Sequence, residues 1–93
     1  MDNIQRLHAQ IYGRVQGVSF RFYTERRAID LRLTGWIRNK VDGSVEVVAE
    51  GQQIDLEKLL KFLHQGPSGA RVERVEHQWQ QATGEFRDFL ITG

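Results

Sequence analysis

The sequence predicts an α+β sandwich, an antiparallel sheet carrying two helices on one face, in the order β-α-β-β-α-β with a short extra C-terminal strand. Three observations lead there. Leu7, Ala9 and Ile11 alternate with His8, Gln10 and Tyr12, as in a strand with one buried face. Leu56, Leu59, Leu60 and Leu63 fall at i, i+3, i+4 and i+7, as in a helix with one apolar side. Between such runs the chain is cut by Gly13 and Gly17, by Asp42-Gly43 and by Gly66-Pro67.

Taken in order, the first strand ends near Tyr12. From Phe20 to Leu31 the apolar positions Phe20, Tyr23, Ala28 and Leu31 have helical spacing, giving the first helix. Thr34 to Arg38 reads as the second strand, with Trp36 its large apolar residue. Asp42-Gly43 is a two-residue hairpin signal leading into a valine-rich third strand, Ser44–Gly51. The leucine row forms the second helix, which Gly66-Pro67 stops. Arg71–Trp79 and Phe86–Ile91 read as closing strands, the last a short edge. Two right-handed β-α-β crossovers place both helices on one side of the sheet, a ferredoxin-like sandwich.

Bulk properties narrow the possibilities. A chain of 93 residues, 40% hydrophobic and 27% charged, fits one domain over 1–93 and is too short for two cores. It has no cysteine, so disulfide and thiolate chemistry play no part. The N-terminus is too polar for a signal peptide and no apolar run would span a bilayer, so the expected location is cytoplasmic, with no membrane partner. The net charge of +1 argues against a dedicated nucleic-acid binder, but it is unevenly spread. From Arg14 to Lys40 seven basic residues face two acidic ones, a net +5 that leaves −4 for the rest. Such a segment is either a solvated arginine-rich helix face or a local field that draws a small anion.

Two stretches carry candidate chemistry. In GRVQGVSFR, the loop Gly13, Arg14, Val15, Gln16, Gly17, Val18, Ser19 joins the first strand to the first helix. It is either a tight turn or a nest of backbone N–H groups for an anion, completed by the helix N-terminus and by Arg21 in the first turn. It is not the nucleotide-binding P-loop: its glycines are one residue closer, and no lysine and hydroxyl follow. In TGWIRNKVDGSVEV, Asn39 ends the second strand. Its amide either satisfies its own turn or holds a water molecule in a set orientation.

Together, G-R-V-Q-G-V-x-F-R at 13–21 and G-W-x-x-N-x-x-x-G-x-V at 35–45 closely resemble the two signature blocks of the acylphosphatase family. The likeness extends over essentially the whole chain in length and element order. It implies that Arg21 is the phosphate-binding catalytic arginine, that Asn39 positions the attacking water, and that Gly13 to Ser19 cradle the phosphate. The implied reaction is hydrolysis of acyl phosphates to a carboxylate and inorganic phosphate by a monomer, with no metal and no cofactor. Inorganic phosphate and sulfate would then compete for the site.

That chemistry suits so sparse a site. The loose transition state spreads charge over the phosphoryl oxygens, and the leaving carboxylate, whose acid has a pKa of about 4, departs without a proton. Neutralising the oxygens and aiming the water are what remain. Asn39 is no base at neutral pH, so a phosphoryl oxygen would take the water's proton. Ser19 has no evident adjacent base and reads as a cradle residue or helix N-cap. The ending FRDFLITG departs from the family's usual charged or aromatic finish, which puts a contact from the terminus to the site in doubt.

Other readings are weaker. His8, His64 and His77 are far apart and lack clustered carboxylates, so no metal site is expected. A carbamoyl-phosphate-handling module of a larger protein, or an RNA-binding module, are the alternatives. Against the latter, Phe20-Arg21-Phe22-Tyr23 opens a helix instead of lying on a strand.

Overall fold

The computed structural model describes residues 3–93; Met1 and Asp2, the start of the expected 1–93 unit, lie outside the described residues. The elements are β1 (Ile4–Arg14), α1 (Phe20–Asp30), β2 (Thr34–Asn39), β3 (Val45–Gln52), α2 (Gln53–Gln65), β4 (Arg71–Gln81) and β5 (Phe89–Ile91). The strands make one sheet in the order β4-β1-β3-β2-β5, the ferredoxin-like arrangement with a fifth strand added at one edge. Among the described residues no helix is long and apolar enough to cross a membrane.

The period-2 pattern of β1 works as expected: Leu7, Ala9 and Ile11 are fully buried, and register places them beside Ala49, Val47 and Val45 of β3. Leu56, Leu59 and Leu63 of α2 close over them. Each such leucine contributes about 1.5–3 kcal/mol by leaving water. The other face is polar, and there Glu46 bonds to His8 and Arg38 while Glu50 bonds to Arg6. Because β4 and β5 lie at opposite edges, their connection must cross the sheet. Glu50 anchors it on the polar face by accepting the Thr83 and Gly84 N–H groups, each at 3.0 Å.

Four local expectations need correction. The buried stripe of α1 is Phe20, Thr24 and Ala28, at i, i+4 and i+8, while Tyr23 is 49% exposed. Tyr23 is turned about 100° from its neighbour Thr24, which carries it off the sheet-facing side. The β2–β3 hairpin has a three-residue loop, Val41–Gly43, not a two-residue one: Lys40 N–H reaches Ser44 O at 2.8 Å and Gly43 N–H reaches Lys40 O at 3.1 Å. Asp42 Oδ1 fixes this form by accepting both the N–H and the hydroxyl of Ser44. The sheet is mixed, since β5 pairs parallel with β2, and β5 begins only at Phe89. Finally, β1 continues past Tyr12 to Arg14 through a register shift between Tyr12 and Gly13. Gly13 permits it: at φ +126° its backbone passes so close to β4 that a Cβ would sit 2.1 Å from the Arg71 carbonyl oxygen.

Candidate active site

A cleft of about 400 Å³ opens where β1 ends, α1 begins and β2 ends. It is lined by Val15, Gly17, Ser19, Phe20, Arg21, Phe22, Asn39 and Ile91. The topology produces the meeting. β1 and β2 both run toward this end of the sheet and the intervening helix starts there, so the β1–α1 loop and the last residue of β2 share one rim.

The loop is held from both sides. Val15 is buried, and Val18 packs against the core. Gln16 reaches across to the hairpin, its Nε2 donating to Lys40 O at 2.8 Å and to Ser44 O at 2.9 Å. Gly17 and Ser19 both adopt left-handed backbone, at φ 75° and 61°. At Gly17 a Cβ would meet nothing within 4 Å, so the glycine is needed for its φ, not for room within the protein. Among the described residues, no N–H group of Gln16–Ser19 donates to a backbone carbonyl.

The head of α1 is open as well. Its first helical bond runs from Tyr23 N–H to Ser19 O at 3.1 Å, so the N–H groups of Phe20, Arg21 and Phe22 have no helical acceptor. Ser19 occupies the N-cap position but does not cap with its side chain, because caps need extended backbone and Ser19 is at φ 61°, ψ 25°. No acidic residue sits in the first turn to satisfy the helix dipole. Arg21 is half-buried there. The ion pairs among the described residues engage Arg6, His8, Arg38 and Arg74, which leaves the Arg21 guanidinium without a carboxylate. Open amides, a positive helix end and an unneutralised arginine thus border one cleft, a combination suited to an anion with several oxygens.

Asn39 faces the same space. It pairs with Val45 on the helix-covered side of the sheet, two residues beyond the buried Ile37. Its Oδ1 is buried and accepts no hydrogen bond from the described residues.

The anticipated residues do not all lie together. Val15, Gly17, Ser19, Arg21 and Asn39 line the cleft, while Gly13, Arg14, Gln16 and Val18 do not. Gly13 and Arg14 are strand residues opposite Val72 and Arg71. Gln16 and Val18 shape the loop from behind. Phe20, Phe22 and Ile91 also line the cleft and were not among the expected site residues. Phe20 and Phe22 belong to the run that opens α1. Ile91 arrives because β5 lies parallel to β2 with Ile91 opposite Ile37, a pairing no local pattern encodes. The terminus therefore does reach the cleft, through an apolar side chain.

Comparison with known proteins agrees with this fold. The model of the acylphosphatase family matches residues 7–91. A Paenarthrobacter aurescens protein named acylphosphatase is 51% identical over 90 residues, covering 97% of this chain and 96% of its own. The crystal structure of acylphosphatase from Bacillus subtilis superimposes with a TM-score of 0.92 at 28% identity, over 96% of this chain and 99% of that one. A Coxiella burnetii acylphosphatase structure gives 0.90 at 34% identity, over 97% and 94%.

Proposed function

The chain belongs to the acylphosphatase family, and from that premise we propose that its cleft hydrolyses acyl phosphates by binding the phosphoryl group on Arg21 and the loop amides and by aiming water with Asn39. The enzyme is a hydrolase that splits the carboxyl–phosphate bond into a carboxylate and inorganic phosphate. One observation carries the residue assignment: an arginine without a carboxylate partner stands at an uncapped helix N-terminus in the same cleft as Asn39.

The guanidinium fork takes two phosphoryl oxygens, and the free N–H groups of the loop and first turn take the remaining lone pairs. These contacts strengthen as charge spreads in the loose transition state, so they lower the barrier as well as bind. Asn39 Nδ2 donates to the oxygen of the attacking water and holds it in line with the breaking bond. Both protons of that water remain free, and a phosphoryl oxygen accepts one. The carboxylate leaves unprotonated, its acid having a pKa of about 4. Nothing in this sequence of events calls for a metal or cofactor. The proposed working unit is a single copy of the chain.

The test is an assay of the purified protein on a small aromatic acyl phosphate, following loss of the anhydride. Inorganic phosphate and sulfate should inhibit competitively, a chelator should leave the rate unchanged, and added magnesium should not raise it. A magnesium requirement, or indifference to phosphate, would sink the cradle assignment.

A further inference from the structure

Two buried side-chain oxygens have no hydrogen-bond partner among the described residues, Asn39 Oδ1 and Thr24 Oγ1. Buried polar groups are rarely left unpaired, and each such case calls for a reason. A threonine inside a helix commonly satisfies its hydroxyl on the carbonyl one turn back. Thr24 does not. The two atoms are complementary, since a hydroxyl donates and an amide oxygen only accepts.

They also face the same layer. Thr24 is fully exposed to the interior, 0% accessible to solvent, on the sheet-facing stripe of α1 with Phe20 and Ala28. Helix α1 packs against β2, and Asn39 extends from the side of β2 that α1 covers. Thr24 is also three residues beyond Arg21, a helical neighbour of the guanidinium that lines the cleft with Asn39.

We propose that Thr24 is a positioning residue for Asn39, its buried hydroxyl donating to Oδ1 when substrate occupies the cleft. This rests on the reading of Asn39 as the holder of water. An amide with no fixed partner can turn over and present its carbonyl in place of its NH₂. A hydroxyl donated to Oδ1 keeps that oxygen inward and Nδ2 toward the water. Thr24 touches no reacting atom. It acts through the orientation of one amide.

The experiment compares Thr24→Val, which keeps the shape and removes the hydroxyl, with Thr24→Ser, which keeps the hydroxyl. Turnover of a small aromatic acyl phosphate, inhibition by inorganic phosphate and the thermal midpoint are measured for both, beside Asn39→Ala and the Thr24→Val/Asn39→Ala double variant. Thr24→Val should lower kcat about tenfold to a hundredfold, the scale of misplacing a reacting group. Its phosphate inhibition constant should not change, and its midpoint should hold or rise because an unpaired buried hydroxyl is gone. Thr24→Ser should keep most of the rate, and the double variant should be no slower than Asn39→Ala. Wild-type kcat in Thr24→Val, a loss that Ser does not recover, or a further loss in the Asn39→Ala background would each overturn the proposal. Should Asn39→Ala itself turn over at the wild-type rate, the role of Asn39 fails and that of Thr24 with it. That result is distinct from an active Thr24→Val beside an impaired Asn39→Ala.

Discussion

Among the described residues Arg21 is the one cationic side chain lining the cleft, and Asn39 the one amide. In the proposed reaction they do separable work. Arg21→Ala should abolish both phosphate inhibition and turnover while the far-ultraviolet circular dichroism stays near wild type. Arg21→Lys returns the charge without the two-pronged fork and should rescue only partly. Asn39→Ala keeps the anion site, so its phosphate inhibition constant should stay near wild type while kcat falls about a hundredfold or more. If binding and turnover collapse together in Asn39→Ala, the amide shapes the cradle and does not aim water. Local spacing alone leaves both residues open between turn and site; the two signature blocks single them out, and the fold brings both to one cleft. Gly13 and Gly17 look alike there, yet Gly13 lets β4 approach and Gly17 supplies a left-handed turn in the cleft wall. Thr24 was not legible, since a threonine in a helical run reads as an ordinary interior residue until its buried hydroxyl is found without a partner.

The loop between β1 and α1 depends for its shape on another element. Gln16 ties it to the β2–β3 hairpin through two carbonyls, 24 and 28 residues away, and so links the β1–α1 loop to the hairpin that follows Asn39. Gln16→Ala should lower stability by about 1–2 kcal/mol, the worth of two side-chain hydrogen bonds, in chemical denaturation. It should also raise the phosphate inhibition constant and lower kcat, since both halves of the cleft lose their common reference. Lower stability with untouched kinetics would make the clamp a fold contact only. The elements themselves were readable where one period dominates, as in β1 and the leucine face of α2. They were misjudged where tertiary contacts decide. The side chain of Asp42 lengthens the hairpin loop, the sheet selects Thr24 over Tyr23, and the parallel partnership of β5 with β2 is set by a crossing connection.

Across the whole molecule the uneven charge seen in the sequence is partly consumed by structure. Arg38 is bound to Glu46, and of the seven basic residues from Arg14 to Lys40, Arg21 is the one that lines the cleft, beside the positive helix end. On the opposite face Glu50 holds the β4–β5 connection. Burial pushes its carboxyl up, but the Thr83 and Gly84 N–H groups and the Arg6 guanidinium outweigh that and hold it below its ordinary value of 4.5. A depressed carboxylate stabilises the fold above the ordinary value and ceases to do so as pH falls through the lowered one. Thermal midpoints should therefore hold steady down to that ordinary range and drop below it. Glu50→Gln should melt roughly 5–15 °C lower at neutral pH, a loss of about 1–3 kcal/mol, and decline less steeply in acid. An unchanged midpoint would remove Glu50 as the anchor of that connection.

In the proposed reaction all of these parts, from the uncapped helix to the orphaned amide oxygen, serve a cleft arranged around phosphorus and not around the acyl carbon. Hydrolysis of a small aromatic acyl phosphate in ¹⁸O-labelled water tests this directly, with the label followed by mass spectrometry. Water aimed by Asn39 at a phosphoryl group held on Arg21 attacks phosphorus, so a single turnover should place the label in inorganic phosphate and leave the carboxylate unlabelled. Label in the carboxylate would mean attack at the acyl carbon and would contradict the roles given to Arg21 and Asn39 alike.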